Sequence, residues 1–177
     1  MVKIFTSKNK KKFSENFRKI LSIREISANY FGKAFSPEKS KSTIGYYYLK
    51  NPNITIYNLC KVALILKADI TVFFQDDLDN IIKPKEDNLE EYYLLVLKSI
   101  ANNIKEIRKE KNELLLDLEV LSNIDSSNLS KVENAKSNLS ISILTRIAGT
   151  LGTDIQELLR WNWEYMALSM LTFYIDW

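Results

Sequence analysis

Histidine is absent from the 177-residue chain and cysteine occurs once, at Cys60. That inventory excludes zinc-finger ligand sets, Cys–His nucleophiles and Ser–His–Asp triads, and no disulfide can form within the chain. Cys60 lies in the apolar run Leu59-Cys60-Lys61-Val62-Ala63-Leu64 and reads as a buried structural thiol. With four glycines and three prolines there are few obligatory turns and no glycine-rich phosphate loop. No run of about 18 uncharged apolar residues and no leader-like apolar segment occurs, so the chain is expected to stay in the cytoplasm, off membranes. The carboxylates that remain read as solvated helix-face residues. No catalytic residue, metal, cofactor or small-molecule ligand is therefore expected.

What is present is a folded, helix-tolerant composition, 46% hydrophobic and 27% charged. The net charge of +3 hides an asymmetry: residues 1–50 hold 12 Lys/Arg against 3 Asp/Glu, and residues 76–95 hold 2 against 7. A basic N-terminal half suits a polyanion, because each Lys or Arg set on a phosphate releases counterions. Lys8, Lys10, Lys11 and Lys12 read equally well as a solvated tail. The acidic, proline-containing stretch after Gln75 interrupts the apolar periodicity and reads as a linker over 76–92.

On either side of it the order of features repeats. Residues 54–74 lie on residues 139–159 without a gap: Ile56, Leu59, Val62, Ala63, Leu66 and Ile70 fall on Ile141, Leu144, Ile147, Ala148, Leu151 and Ile155. The spacing predicts an amphipathic helix capped by Thr55 or Ser140, then a short link to a helix capped by Asp69 or Asp154. In the second copy, Ile100, Ile104 and Ile107 predict a helix ending near Asn112. Leu115, Leu118 and Leu121 predict a short helix stopped at Asn123, and Asp125 is placed to cap a third over 126–134. Two short helices joined by a tight turn inside a bundle of about five form a helix-turn-helix.

Residues 100–159 resemble the Cro and phage-repressor helix-turn-helix family, also called the xenobiotic-response-element family. The marks are Ile104-Lys105-Glu106-Ile107-Arg108-Lys109-Glu110-Lys111, Asp117-Leu118-Glu119, Leu129-Ser130-Lys131-Val132-Glu133-Asn134-Ala135-Lys136, and Ile147-Ala148 to Leu151-Gly152. The resemblance implies a third helix in the major groove, with Ser126, Ser127, Asn128 and Lys131 toward base edges and Leu129 and Val132 toward the core. Asn can pair with adenine and Lys can donate to guanine. It puts Lys136, Ser137 and Asn138 at phosphate, and makes Arg108 and Glu133 an ion pair tying the first helix to the third. Leu114 and Leu115 depart from the family's capping Ser or Thr and phosphate-binding Gln, so one backbone contact is missing. Ala135 stands where glycine is usual.

The first copy, residues 13–75, matches once about two residues are inserted at Ser36-Pro37-Glu38-Lys39. Ser27 then caps the second helix, Phe31 is its core residue, and residues 41–48 are the third helix. Leu21 and Tyr48 replace Arg108 and Glu133, a paired loss of charge expected of positions in contact. Base-facing candidates are Lys41, Ser42, Thr43 and Tyr46, with Lys39, Lys50 and Asn51 near phosphate. Tyr47 and Tyr48 read as packing residues.

The expected fold is therefore all-α: two tandem lambda-repressor-like helix-turn-helix bundles, 13–75 and 93–159, an acidic linker, and an aromatic extension over 160–177. The extension either packs back on the domains or forms a homodimer contact. The expected function is that of a sequence-specific regulator binding double-stranded DNA. A partner-binding, antitoxin-like module on the same scaffold, with weak DNA binding, is the alternative.

Overall fold

In the computed structural model, residues 2–38, 48 and 53–161 are described. Among them are eight α-helices, one 3-10 turn and no strand. In chain order they are α1 (Val2–Ile23), α2 (Ala28–Phe35), α3 (Ile56–Leu66), the 3-10 turn Ile70–Phe74, α4 (Leu89–Glu110), α5 (Leu115–Ser122), α6 (Ser126–Glu133), α7 (Ile141–Thr150) and α8 (Ile155–Leu159). No helix among these residues is long and apolar enough to cross a membrane.

Local chemistry sets the helix ends. Ser27, Thr55 and Ser140 accept the amides of Tyr30, Asn58 and Ile143, and Asp69 and Asp154 accept those of Thr71 and Glu157. Asn88 caps α4 by accepting the amides of Glu90 and Glu91. Those two carboxylates sit in the first turn, where the helix dipole favours them. The acid-rich stretch read as linker thus becomes helix from Leu89. It is also not free upstream: Leu78, Ile81 and Ile82 pack on the core, and the Ile82 carbonyl accepts the Asp69 amide at 2.8 Å. At the N-terminus α1 begins at Val2, ahead of the lysines read as a tail. Lys12 is held by Asp76 at 2.7 Å.

One buried apolar cluster runs through both halves. In the first half it is aromatic: Phe17 meets Phe31 edge-on at 5.0 Å, and Tyr48 packs on Phe17, Phe31 and Phe35. In the second half the core is built from aliphatic residues such as Ile104, Leu118 and Leu129. Leu21 and Tyr48 are both buried in this core. Cys60 is also fully buried, and burial followed by the charge of Asp69 pushes its thiol far above its ordinary value.

Several hydrogen bonds recur at a constant shift in number. Arg24, Glu25 and Ile26 donate to Ile20, Ser22 and Leu21; Lys111, Asn112 and Glu113, 87 residues later, donate to Ile107, Lys109 and Arg108. Glu25 and Asn112 both adopt left-handed backbone, φ 54° and 56°. Asn16 Nδ2 donates to the carbonyls of Val72 and Gln75, and Asn103 Nδ2, 87 residues later, makes a similar pair of bonds to Leu158 and Arg160, whose spacing is one residue shorter. Beyond the turn of α2 the shift is 85: Lys67 and Ala68 donate to Leu64 and Ala63 as Gly152 and Thr153 do to Gly149 and Ala148.

The halves meet directly. α1 packs on α7, α3 on α4, and the 3-10 turn on α8. Thr55 and Ser140 form an antiparallel bridge, in which Ile56 N donates to Leu139 O at 2.7 Å and Ile141 N to Ile54 O at 2.9 Å. Asn138 Oδ1 accepts the Tyr57 amide, and Asn53 Oδ1 accepts the amide and hydroxyl of Ser142.

Candidate nucleic-acid interface

α6 owes its place to three features. Asn123 closes α5 in the left-handed conformation, φ 52°, and lets the chain reverse in two residues. Asp125 then starts α6 by accepting the Ser127 amide at 2.8 Å. The Ser127 side chain and amide, with the charge of Lys131, hold the Asp125 carboxyl below its ordinary value. Leu129 and Val132 are buried, which turns the opposite face outward. On that face Ser127, Asn128 and Lys131 are exposed, while Ser126 is half-buried.

The far end of α6 is clamped by a bidentate ion pair. Arg108 Nε donates to Glu133 Oε1 at 2.6 Å and a terminal nitrogen to Oε2 at 3.0 Å; its other terminal nitrogen donates to the Glu113 carbonyl at 2.7 Å. The side chains are only 14% and 8% exposed. Glu133's hydrogen bonds raise the Arg108 pKa, so the guanidinium stays charged. This arrangement fixes the axial position and rotation of α6 relative to α4.

After α6 the chain turns through Ala135, whose φ of 54° explains why glycine suits this position. Lys136 is exposed and Ser137 half-buried. Asn138 is exposed, and its side-chain oxygen accepts the Tyr57 amide. The seven candidates of the first half, Lys39, Lys41, Ser42, Thr43, Tyr46, Lys50 and Asn51, lie outside the described residues, as does Tyr47.

α5 departs from the expected surface. Leu114 has no side-chain acceptor for the helix amides; instead Asp117 Oδ2 accepts the Leu114 amide at 2.7 Å. That carboxylate sits at the helix start, where the helix dipole favours a negative charge. Only Leu118 and Ser122 of α5 are buried, whereas Leu114, Leu116, Val120 and Leu121 are 62–75% exposed.

Sequence reasoning missed a buried polar centre at the 3-10 turn. Asp69, fully buried, accepts from Thr71 N and Oγ1, from Tyr92 Oη at 2.8 Å and from Trp161 Nε1 at 3.2 Å. Tyr92 Oη in turn accepts the Ile70 amide. Burial and the Asp69 charge drive the Tyr92 phenol far above its ordinary value. Trp161, the first aromatic of the C-terminal extension, is thereby packed back on Tyr92; residues 162–177 lie outside the described residues. No group of acidic or cysteine side chains among the described residues could hold a metal.

A family model described as helix-turn-helix matches residues 104–158, just under a third of the chain, and does not extend to residues 13–75. No curated protein and no solved structure matches the chain. Residues 104–158 are thus similar to helix-turn-helix domains, and the matched stretch runs from within α4 through α5, α6 and α7 into α8.

Proposed function

We propose that the chain is a sequence-specific regulator that binds double-stranded DNA by laying α6 in the major groove, and that residues 13–75 hold a divergent second copy of the same unit. The observation that carries the first part is the exposed polar face of α6, fixed at one end by the Asp125 cap and at the other by the Arg108–Glu133 pair. A surface that must present a hydrogen-bonding pattern to base edges needs that rigidity. Ser126, Ser127, Asn128 and Lys131 face bases; Lys136, Ser137 and Asn138 meet phosphate. The recurrence of the Glu25 and Asn112 turns, of the Asn16 and Asn103 bonds and of the Lys67 and Gly152 turns supports the second copy. Lys39, Lys41, Ser42, Thr43, Tyr46, Lys50 and Asn51 are its candidate DNA contacts.

Lysines 131 and 136 separate the two kinds of contact. On a fragment selected from the source genome, Lys131→Ala should lose about 1–3 kcal/mol of discrimination at one position. Lys136→Ala should weaken selected and random DNA alike and lower the salt slope by about one. Gel shifts over a salt series measure both; equal losses on selected and random DNA for Lys131→Ala would remove it from the base-reading surface.

A further inference from the structure

We propose that one chain carries, within itself, the two-fold interface that a pair of helix-turn-helix subunits would otherwise form, and so binds a single DNA duplex as a monomer at two unlike major-groove segments held at one fixed spacing. This rests on the reading of residues 13–75 as a second copy.

The bonds between the halves are reciprocal. Ile56 N reaches Leu139 O and Ile141 N reaches Ile54 O; adding 85 to the first donor and subtracting 85 from its acceptor turns one bond into the other. Tyr57 N to Asn138 and Ser142 N to Asn53 are related in the same way. Only a two-fold arrangement does this. A head-to-tail repeat would carry Ile141 to a residue 85 positions beyond Leu139, not back to Ile54. The helix contacts obey the same exchange: α1 on α7 answers α3 on α4, and the 3-10 turn meets its own counterpart, α8.

The axis also stands at the interface with DNA. Asn138 follows the last residue of α6, Glu133, by five positions, and Asn53 follows Tyr48 by five. Glu133 and Tyr48 therefore flank the axis in the same manner, as two half-sites flank the centre of an operator. Ile54, Ile56, Leu139 and Ile141 are all at most 4% exposed, so the joint is a closed core contact and the spacing is rigid. The two reading faces differ: Ser126, Ser127, Asn128 and Lys131 correspond by sequence to Lys41, Ser42, Thr43 and Tyr46. A target that suits both is not a palindrome.

The test uses the full chain and a fragment obtained by selection from random DNA, with stoichiometry read by native mass spectrometry and contacts by hydroxyl-radical footprinting. The expected result is one chain per duplex, two protected segments about one helical turn apart, and an affinity loss of about tenfold or more when roughly 5 base pairs are inserted between them. Two chains per duplex, a single protected segment, or tolerance of the insertion would overturn the proposal while leaving DNA binding by α6 in place. Failure to bind any duplex would overturn both.

Discussion

Replacing Arg108 with alanine is expected to destabilise the fold by about 3–5 kcal/mol, and Glu133→Ala by a similar amount. The guanidinium makes three hydrogen bonds, two to Glu133 and one to the Glu113 carbonyl, in a place where little water reaches either partner. Removing one charge leaves the other desolvated and unpaired, which costs more than the pair contributes. Leu21 and Tyr48, which the proposed second copy sets at these positions, are buried without charge. The double variant Arg108→Leu/Glu133→Tyr should therefore cost less than either alanine change. A urea-denaturation cycle with Arg108→Leu and Glu133→Tyr as its single variants checks this. Additivity within about 0.5 kcal/mol would show that the two side chains are not coupled.

Tyr92→Phe has the next largest expected effect, a loss of about 2–4 kcal/mol, from deleting one oxygen. Without it the Ile70 amide has no acceptor and the buried Asp69 carboxylate keeps only the donors from Thr71 and Trp161. The same centre makes the fold sensitive to alkali. Burial and the Asp69 charge keep the Tyr92 phenol and the Cys60 thiol protonated in the fold, while in the unfolded chain they ionise near their ordinary values of 10.0 and 9.0. A group raised on folding contributes fully below its unfolded pKa and loses that contribution as pH rises. Stability should hold up to about pH 9, fall with Cys60 above that, and fall more steeply above about pH 10 with Tyr92. In Tyr92→Phe the steeper part should be shallower; an unchanged slope would show that Tyr92 is not its source.

The parts of this fold written in local spacing were legible. Asp125, Asn123 and the pair Leu129 and Val132 define α6 within a dozen residues, and the ungapped match of 54–74 with 139–159 located α3 and α7. What escaped was written across long separations. The Asp69–Trp161 bond spans 92 residues and has no local signature. The start of α4 was hidden because acidic residues that suit a first helical turn also suit a linker. The exposed face of α5 was hidden because apolar residues surround a helix of eight, of which only one side can be buried. The joint between the halves was the nearest miss: Asn53 and Asn138 lie 85 residues apart, and each accepts a backbone amide from the other half, of Ser142 and of Tyr57.

If the outward face of α6 meets DNA, photo-crosslinking from that face should report it. With a benzophenone amino acid at position 128 in the full chain, irradiation of the complex with a selected fragment should attach DNA to that residue, at a unique stretch of bases in the major groove. Unchanged gel-shift binding with no crosslink from position 128 would contradict it, and would place the DNA on another surface of the molecule.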